Sequence, residues 1–357
     1  MIETVSFNRY YTCIDSMASI FDKRYRENGF SGPYEKNPFE EWQKRARSIL
    51  MSDLRINDFI AAIGSCEIDS TISEKTGIGE GIVREKVLLT IKEWATIPMY
   101  VLKPKSPKGV FICLAGHHST GKFMTSGNMI CTATAKLTEK YGADFGLELA
   151  RRNYIAICPD SIGFGERREK PEQGDSPEKF QSSSCRELSN DAISLGFSLA
   201  GIMAYEGMRI ADYAKEAFGD TKPLYAIGFS GGAMQALYLS AVDTRIDGAI
   251  ISGYFYGFRD SLLYMNTNCP CNYVPGIFAD FDMMDIAGLI APRNLAIQSA
   301  KEDHLNGKNG FTNVMTQLDG ASRMYSIYKK SIYHDVRDGD HAFHSEGLDA
   351  MLKHIEI

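Results

Sequence analysis

The apolar positions along this chain fall into three successive rhythms. Over the first eighty residues the spacing is helical: Tyr10, Ile14, Met17 and Phe21 recur at steps of four and three, which places them on one helix face. A second helix is predicted to begin at Asn37-Pro38-Phe39-Glu40, with Asn37 as N-cap, Pro38 in the first helical position and Glu40 closing a capping box. Phe39, Trp42, Ala46 and Ile49 supply its stripe. The alternating glycines of residues 76–81 read as a flexible joint. No strand precedes them and no helix start follows, so they do not form a dinucleotide-binding fingerprint.

From residue 83 to 102 apolar and polar positions alternate among β-branched and aromatic side chains, which predicts two antiparallel strands. Beyond Lys108 short apolar runs alternate with helical stretches, the pattern of a mainly parallel sheet with crossover helices on both faces. The predicted strands span residues 110–114, 154–158, 224–227, 249–252, 295–299 and 331–336. A helix near residues 199–217 presents Met203, Ile210, Tyr213 and Ala214 on one face. The expected organisation is a helical extension over residues 1–80, serving as a lid or a homo-oligomer contact, and an α/β catalytic domain over 81–357.

Composition narrows the function. With 357 residues, 44% hydrophobic and 24% charged, the chain has the balance of a globular protein, which excludes disordered and fibrous classes. A net charge of −6 and the lack of any basic run argue against nucleic acid or an anionic membrane as partner. No segment reaches about 18 consecutive apolar residues, and the start shows no signal-peptide pattern, so a soluble cytoplasmic protein is expected. The eight cysteines are scattered, and most read as reduced core fillers. Cys269-Pro270-Cys271 has suggestive spacing, but the sequence shows no second pair to complete a zinc site, so neither a metal nor a cofactor is predicted.

Ligands of open α/β sheets bind beyond the carboxyl ends of the strands, so chemistry is sought in the turns there. Gly228-Phe229-Ser230-Gly231-Gly232 lies between a predicted strand and a helix, the context that a Gly-x-Ser-x-Gly nucleophile elbow requires. Gly228 and Gly232 stand where any side chain would collide with the neighbouring strand or helix. A phosphate cradle would need Lys and then Ser or Thr after its glycines, whereas Ala233-Met234-Gln235 follow.

A serine hydroxyl needs a base to take its proton and an acid to orient that base, here in the chain order Ser, Asp or Glu, His. His341, in a loop after the last predicted strand, is the expected base, ahead of His344 and His334. Asp303 is the expected acid, with neighbouring Glu302 and Asp260 as alternatives. The backbone amides of His117, in the loop after the first parallel strand, and of Gly231 are the expected oxyanion donors. The consecutive His117 and His118 are not read as metal ligands, because neighbours rarely point into one site.

Together the elbow, the Gly116 loop, Asp303 and His341 resemble the α/β-hydrolase fold, and within it the dienelactone-hydrolase and acetyl-xylan-esterase-like group. Residues 159–167, 195–212, 269–275 and 285–293 (DIAGLIAPR) are similar to that group as well. The resemblance covers about residues 83 to 350 and implies a cofactor-independent Ser-His-Asp esterase with an acyl-enzyme intermediate, acting on small esters such as acylated carbohydrates. Two features depart from it: Gly231 follows the serine where acetyl-xylan-type deacetylases usually carry glutamine, and no arginine stands beyond the serine as in glucuronoyl esterases. A peptidase or lactone hydrolase with the same triad, or a silent hydrolase-like binding module, are the alternatives. Tyr254-Phe255-Tyr256 and residues 260–281 are either the substrate wall or ordinary packing.

Overall fold

Strands whose residues are apolar on both faces can be buried only inside a sheet covered on two sides, and that is where the predicted runs between residues 110 and 299 lie. In the computed structural model, which describes residues 11–117, 120–174, 176–265 and 267–356, the strands form one nine-stranded sheet in the order β1-β2-β3-β5-β4-β6-β7-β8-β9. β1 (Ile68–Gly77), β2 (Val83–Ile91) and β3 (Ala95–Lys103) make an antiparallel meander that joins β5 (Tyr154–Pro159). β5, β4 (Gly109–Leu114), β6 (Leu224–Phe229), β7 (Gly248–Ser252), β8 (Asn294–Ala300) and β9 (Tyr333–Arg337) run parallel. All residues of β4, β5, β6 and β7 are buried.

The chain leaves β4 to form β5 on one side and later returns to form β6 on the other. The carboxyl ends of β4 and β6 therefore lie side by side at a switch in strand order, the place where open α/β sheets bind ligands. Leu114 pairs with Gly228 there, which brings the loop after β4 against the elbow after β6.

The amino-terminal region differs from its sequence-based reading. It is helical only through Ile63, as α1 (Ile14–Arg24), α2 (Lys36–Asp53) and α3 (Ile56–Ile63), and residues 68–77 form the edge strand β1. IDSTISEKTG is polar and almost wholly exposed, so it carries no apolar period that would announce a strand. The glycine-rich joint is the β1–β2 turn. The N-cap of α2 is Glu35, in extended geometry and without a side-chain cap bond, so Asn37 and Pro38 lie inside the first turn. Proline costs no hydrogen bond there, because the first amides of a helix have no intrahelical partner. On α1, Ala18 and Phe21 are buried while Met17 is exposed; Tyr10 lies outside the described residues.

These helices pack on the body of the protein. Phe39, Trp42, Ala46 and Leu50 belong to the same core cluster as Met283, Ile286 and Leu289. Gln43 donates to the carbonyls of Gly288 and Ala291, and Arg26 makes a two-pronged ion pair with buried Asp285, both N···O distances 2.6 Å.

Candidate active site

β6 ends at Phe229 and a helix begins at Gly231 (Gly231–Val242), so the chain must turn within Ser230. Ser230 takes φ 56° and ψ −123°, a region that non-glycine residues avoid. The turn is held from both sides: Ser230 N–H donates to Ser252 O at 2.8 Å on the adjacent strand, and Ala233 N–H donates to Ser230 O at 2.9 Å. A Cβ on Gly228 would run into the carbonyl of Gly232, and one on Gly232 into the carbonyl of Leu114 on β4. The glycines thus let strand, helix and neighbouring strand meet around one tight turn in which Ser230 is only half-buried. The helix start directs its free amides and positive dipole end toward the serine.

Gly116 lies against this elbow; a Cβ there would sit 2.9 Å from Phe229 O and 3.2 Å from Ser230 Cβ. The next residue, His117, lays its ring over Gly231, where a Cβ would strike Nδ1. Glycine after the serine is therefore what leaves space for that imidazole, and the departure from glutamine has a steric cause.

The loops after β4 and β5 are bound to each other by a pair that sequence reasoning missed. Lys122 and Asp160 are fully buried; Asp160 accepts from Lys122 Nζ at 2.5 Å, from Lys122 N–H at 2.8 Å and from Glu166 N–H at 2.9 Å. Gly121 and Gly165 crowd the same carboxylate so closely that neither could carry a side chain. Asp160 directly after a strand is a usable signal, but a lysine 38 residues earlier gives no hint of being its partner.

His341 and Asp303 arrive from the turns after β9 and β8. Their Nδ1 and Oδ2 are 2.7 Å apart, and the other Asp303 oxygen accepts from Leu305 N–H at 2.8 Å. Burial, then the negative charge of Asp303, holds the phenol of Tyr256 well above its ordinary pKa. The His341 ring lies 4.6 Å from the ring of Phe229, tilted by 32°, and Gly253 leaves it space from below. Ser230 and His341 line one narrow cleft together with Gly116, Met124, Tyr141 and Phe229.

The other candidates point elsewhere. Glu302 is exposed and accepts from Gly339 N–H; Asp260 accepts from the Asn309 side chain and pairs loosely with Arg259. His344 faces Glu346 at 3.3 Å, and His334 stacks on Phe311, with burial depressing its pKa. His118 lies outside the described residues. Tyr254, Phe255 and Tyr256 are buried core residues rather than a cleft wall. Cys269 and Cys271, left without partners by the sequence reading, do meet further ligand-type side chains, Cys185 and His117. Those two come from distant segments, so no local spacing could reveal them.

No protein-family profile matches the chain. YtaP of Bacillus subtilis (strain 168), provisionally named a hydrolase, is 26% identical over 271 residues, which cover 71% of this chain and 83% of that protein. A crystal structure from Bacteroides fragilis, provisionally assigned as an acetyl xylan esterase, matches with a TM-score of 0.72 at 18% identity, covering 93% of this chain and 84% of its own. The chain has the α/β-hydrolase fold. A glucuronoyl esterase from Solibacter usitatus shares this hydrolase fold at a TM-score of 0.59 and 14% identity, over 85% of this chain and 91% of its own. In this fold the elbow, the β4 loop and the turns after β8 and β9 all gather at the carboxyl edge of the parallel strands.

Proposed function

We propose that the protein is a serine carboxylic-ester hydrolase. The observation that carries the reading is the 2.7 Å contact of His341 with Asp303 beside a cleft that His341 shares with the strained elbow at Ser230. Asp303 holds the imidazole with Nδ1 as donor, leaving Nε2 to take the Ser230 proton as Oγ attacks the acyl carbonyl. The amides of Gly231 and His117 receive the oxyanion, and His341 returns the proton to the leaving alkoxide. Water, deprotonated by the same imidazole, then attacks the acyl-enzyme and frees the acid. No metal or cofactor enters any step.

The cleft is narrow and flanked by Met124 and Tyr141, which favours a short acyl group such as acetyl. The name of the Bacteroides fragilis relative, provisionally an acetyl xylan esterase, supports a carbohydrate as the alcohol side of the ester. The test is a panel of acetyl, feruloyl, glucuronoyl, lactone and aminoacyl-arylamide substrates against wild type and Ser230→Ala. Short acyl esters should be cleaved, and the variant should lose at least about a thousandfold in kcat. Cleavage of the arylamide alone, or equal rates in the variant, would overturn the proposal.

A further inference from the structure

Behind the elbow, three separate segments bring four metal-binding side chains to one point. His117 comes from the β4 loop, Cys185 opens the helix Cys185–Ser194, and Cys269 and Cys271 flank Pro270 at a tight turn. One ligand atom from each lies within 4.8 Å of all the others. His117 Nε2 is 2.9 Å from Cys271 Sγ and 3.6 Å from Cys185 Sγ, and Cys185 Sγ is 3.5 Å from Cys269 Sγ. A disulfide would need about 2.05 Å between sulfurs. A tetrahedral zinc, with Zn–S of about 2.3 Å and Zn–N of about 2.0 Å, has edges of about 3.8 Å between sulfurs and about 3.5 Å from sulfur to nitrogen. Two of the spacings, 3.6 Å from His117 to Cys185 and 3.5 Å from Cys185 to Cys269, match those edges, the His117–Cys271 contact is shorter, and the other pairs lie within 4.8 Å.

The surroundings are arranged for the same purpose. Asn272 directs its side-chain amide to Cys271 Sγ at 3.6 Å and to Cys269 O at 3.0 Å, an outer contact that steadies a thiolate and its turn. Cys185 and Cys271 are buried, and His117 reaches the thiols only because Gly231 leaves space for its ring. Three cysteines and one histidine make a closed donor set of the structural kind, with no position left for water or substrate.

We propose that His117, Cys185, Cys269 and Cys271 bind one Zn²⁺, which clips the oxyanion loop to the Cys185 helix and the Cys269–Cys271 turn. Zinc enters as the thiols release up to three protons to solvent, the histidine binding neutral through Nε2. The kinetic consequence rests on the esterase reading, because His117 supplies an oxyanion amide in it; the metal site itself does not.

Elemental analysis of the full chain, purified in reductant, should find about one zinc per chain in wild type and in Ser230→Ala, and much less in Cys185→Ser and Cys269→Ser. Cobalt(II) added to metal-stripped wild type should give intense visible bands and a thiolate-to-metal charge-transfer band, which needs no variant to fold. Stripping the zinc should lower esterase kcat at least about tenfold, and zinc should restore it. A zinc-free wild type that shows no cobalt–thiolate absorption, or a Cys185–Cys269 disulfide in the purified chain, would overturn the site. Unchanged kcat after stripping would overturn the clip. Lack of esterase activity with zinc present would instead count against the esterase reading alone.

Discussion

Ser230 holds a backbone conformation that costs on the order of 1–3 kcal/mol, and the bonds to Ser252 and Ala233 keep it there. What the residue gains is a hydroxyl at the mouth of the cleft with the first amides of a helix beside it. Asp303 and Asp260 can be told apart by function at this scale, because only Asp303 touches His341. Asp303→Asn should lower kcat by up to about 10⁴-fold, since the amide favours the wrong imidazole tautomer, with little change in melting temperature. Asp260→Asn should stay within a few-fold of wild type in the same assay. The strand-to-helix turn at Ser230 and the loops that carry Asp303 and His341 were readable because a short motif and a fixed chain order describe them. The Cys185–Cys269 encounter was not, for 84 residues separate the two and nothing around Cys185 marks it as the partner of the Cys269–Cys271 pair.

Among elements, the parallel strands β4 to β8 were legible because burial on both faces forces unbroken apolar runs, whereas β1 was hidden by its polar, exposed residues. The loops that frame the cleft depend on an interaction no periodicity encodes, the buried Lys122–Asp160 pair. Lys122→Met should leave the Asp160 carboxylate buried without its counter-ion and destabilise the protein by about 3–5 kcal/mol. Urea unfolding followed by fluorescence would show this as a lower midpoint with an unchanged slope. A midpoint equal to wild type would mean that the two backbone amides on Asp160 suffice to hold the loops.

At the scale of the molecule, the N-terminal helices are part of the core and bring a pH dependence with them. Asp53, at the end of α2, has its pKa pushed up to about 7 by burial and then by the neighbouring charge of Asp280. An aspartate unfolded titrates near about 3.9, so folding favours the protonated form. That contribution is fully present below the unfolded value and is lost as pH rises through about 7. Wild type should therefore lose more melting temperature than Asp53→Asn between about pH 4 and about pH 8, as followed by scanning fluorimetry. Parallel curves for the two proteins would remove Asp53 as the cause.

The nucleophilic character of Ser230 is best tested by trapping it. Wild-type protein treated with a fluorophosphonate and read by peptide mass spectrometry should carry one adduct, on Ser230, formed far more slowly in His341→Ala and absent in Ser230→Ala. An unlabelled wild type, or an adduct that persists on another residue when Ser230 is replaced, would contradict the account.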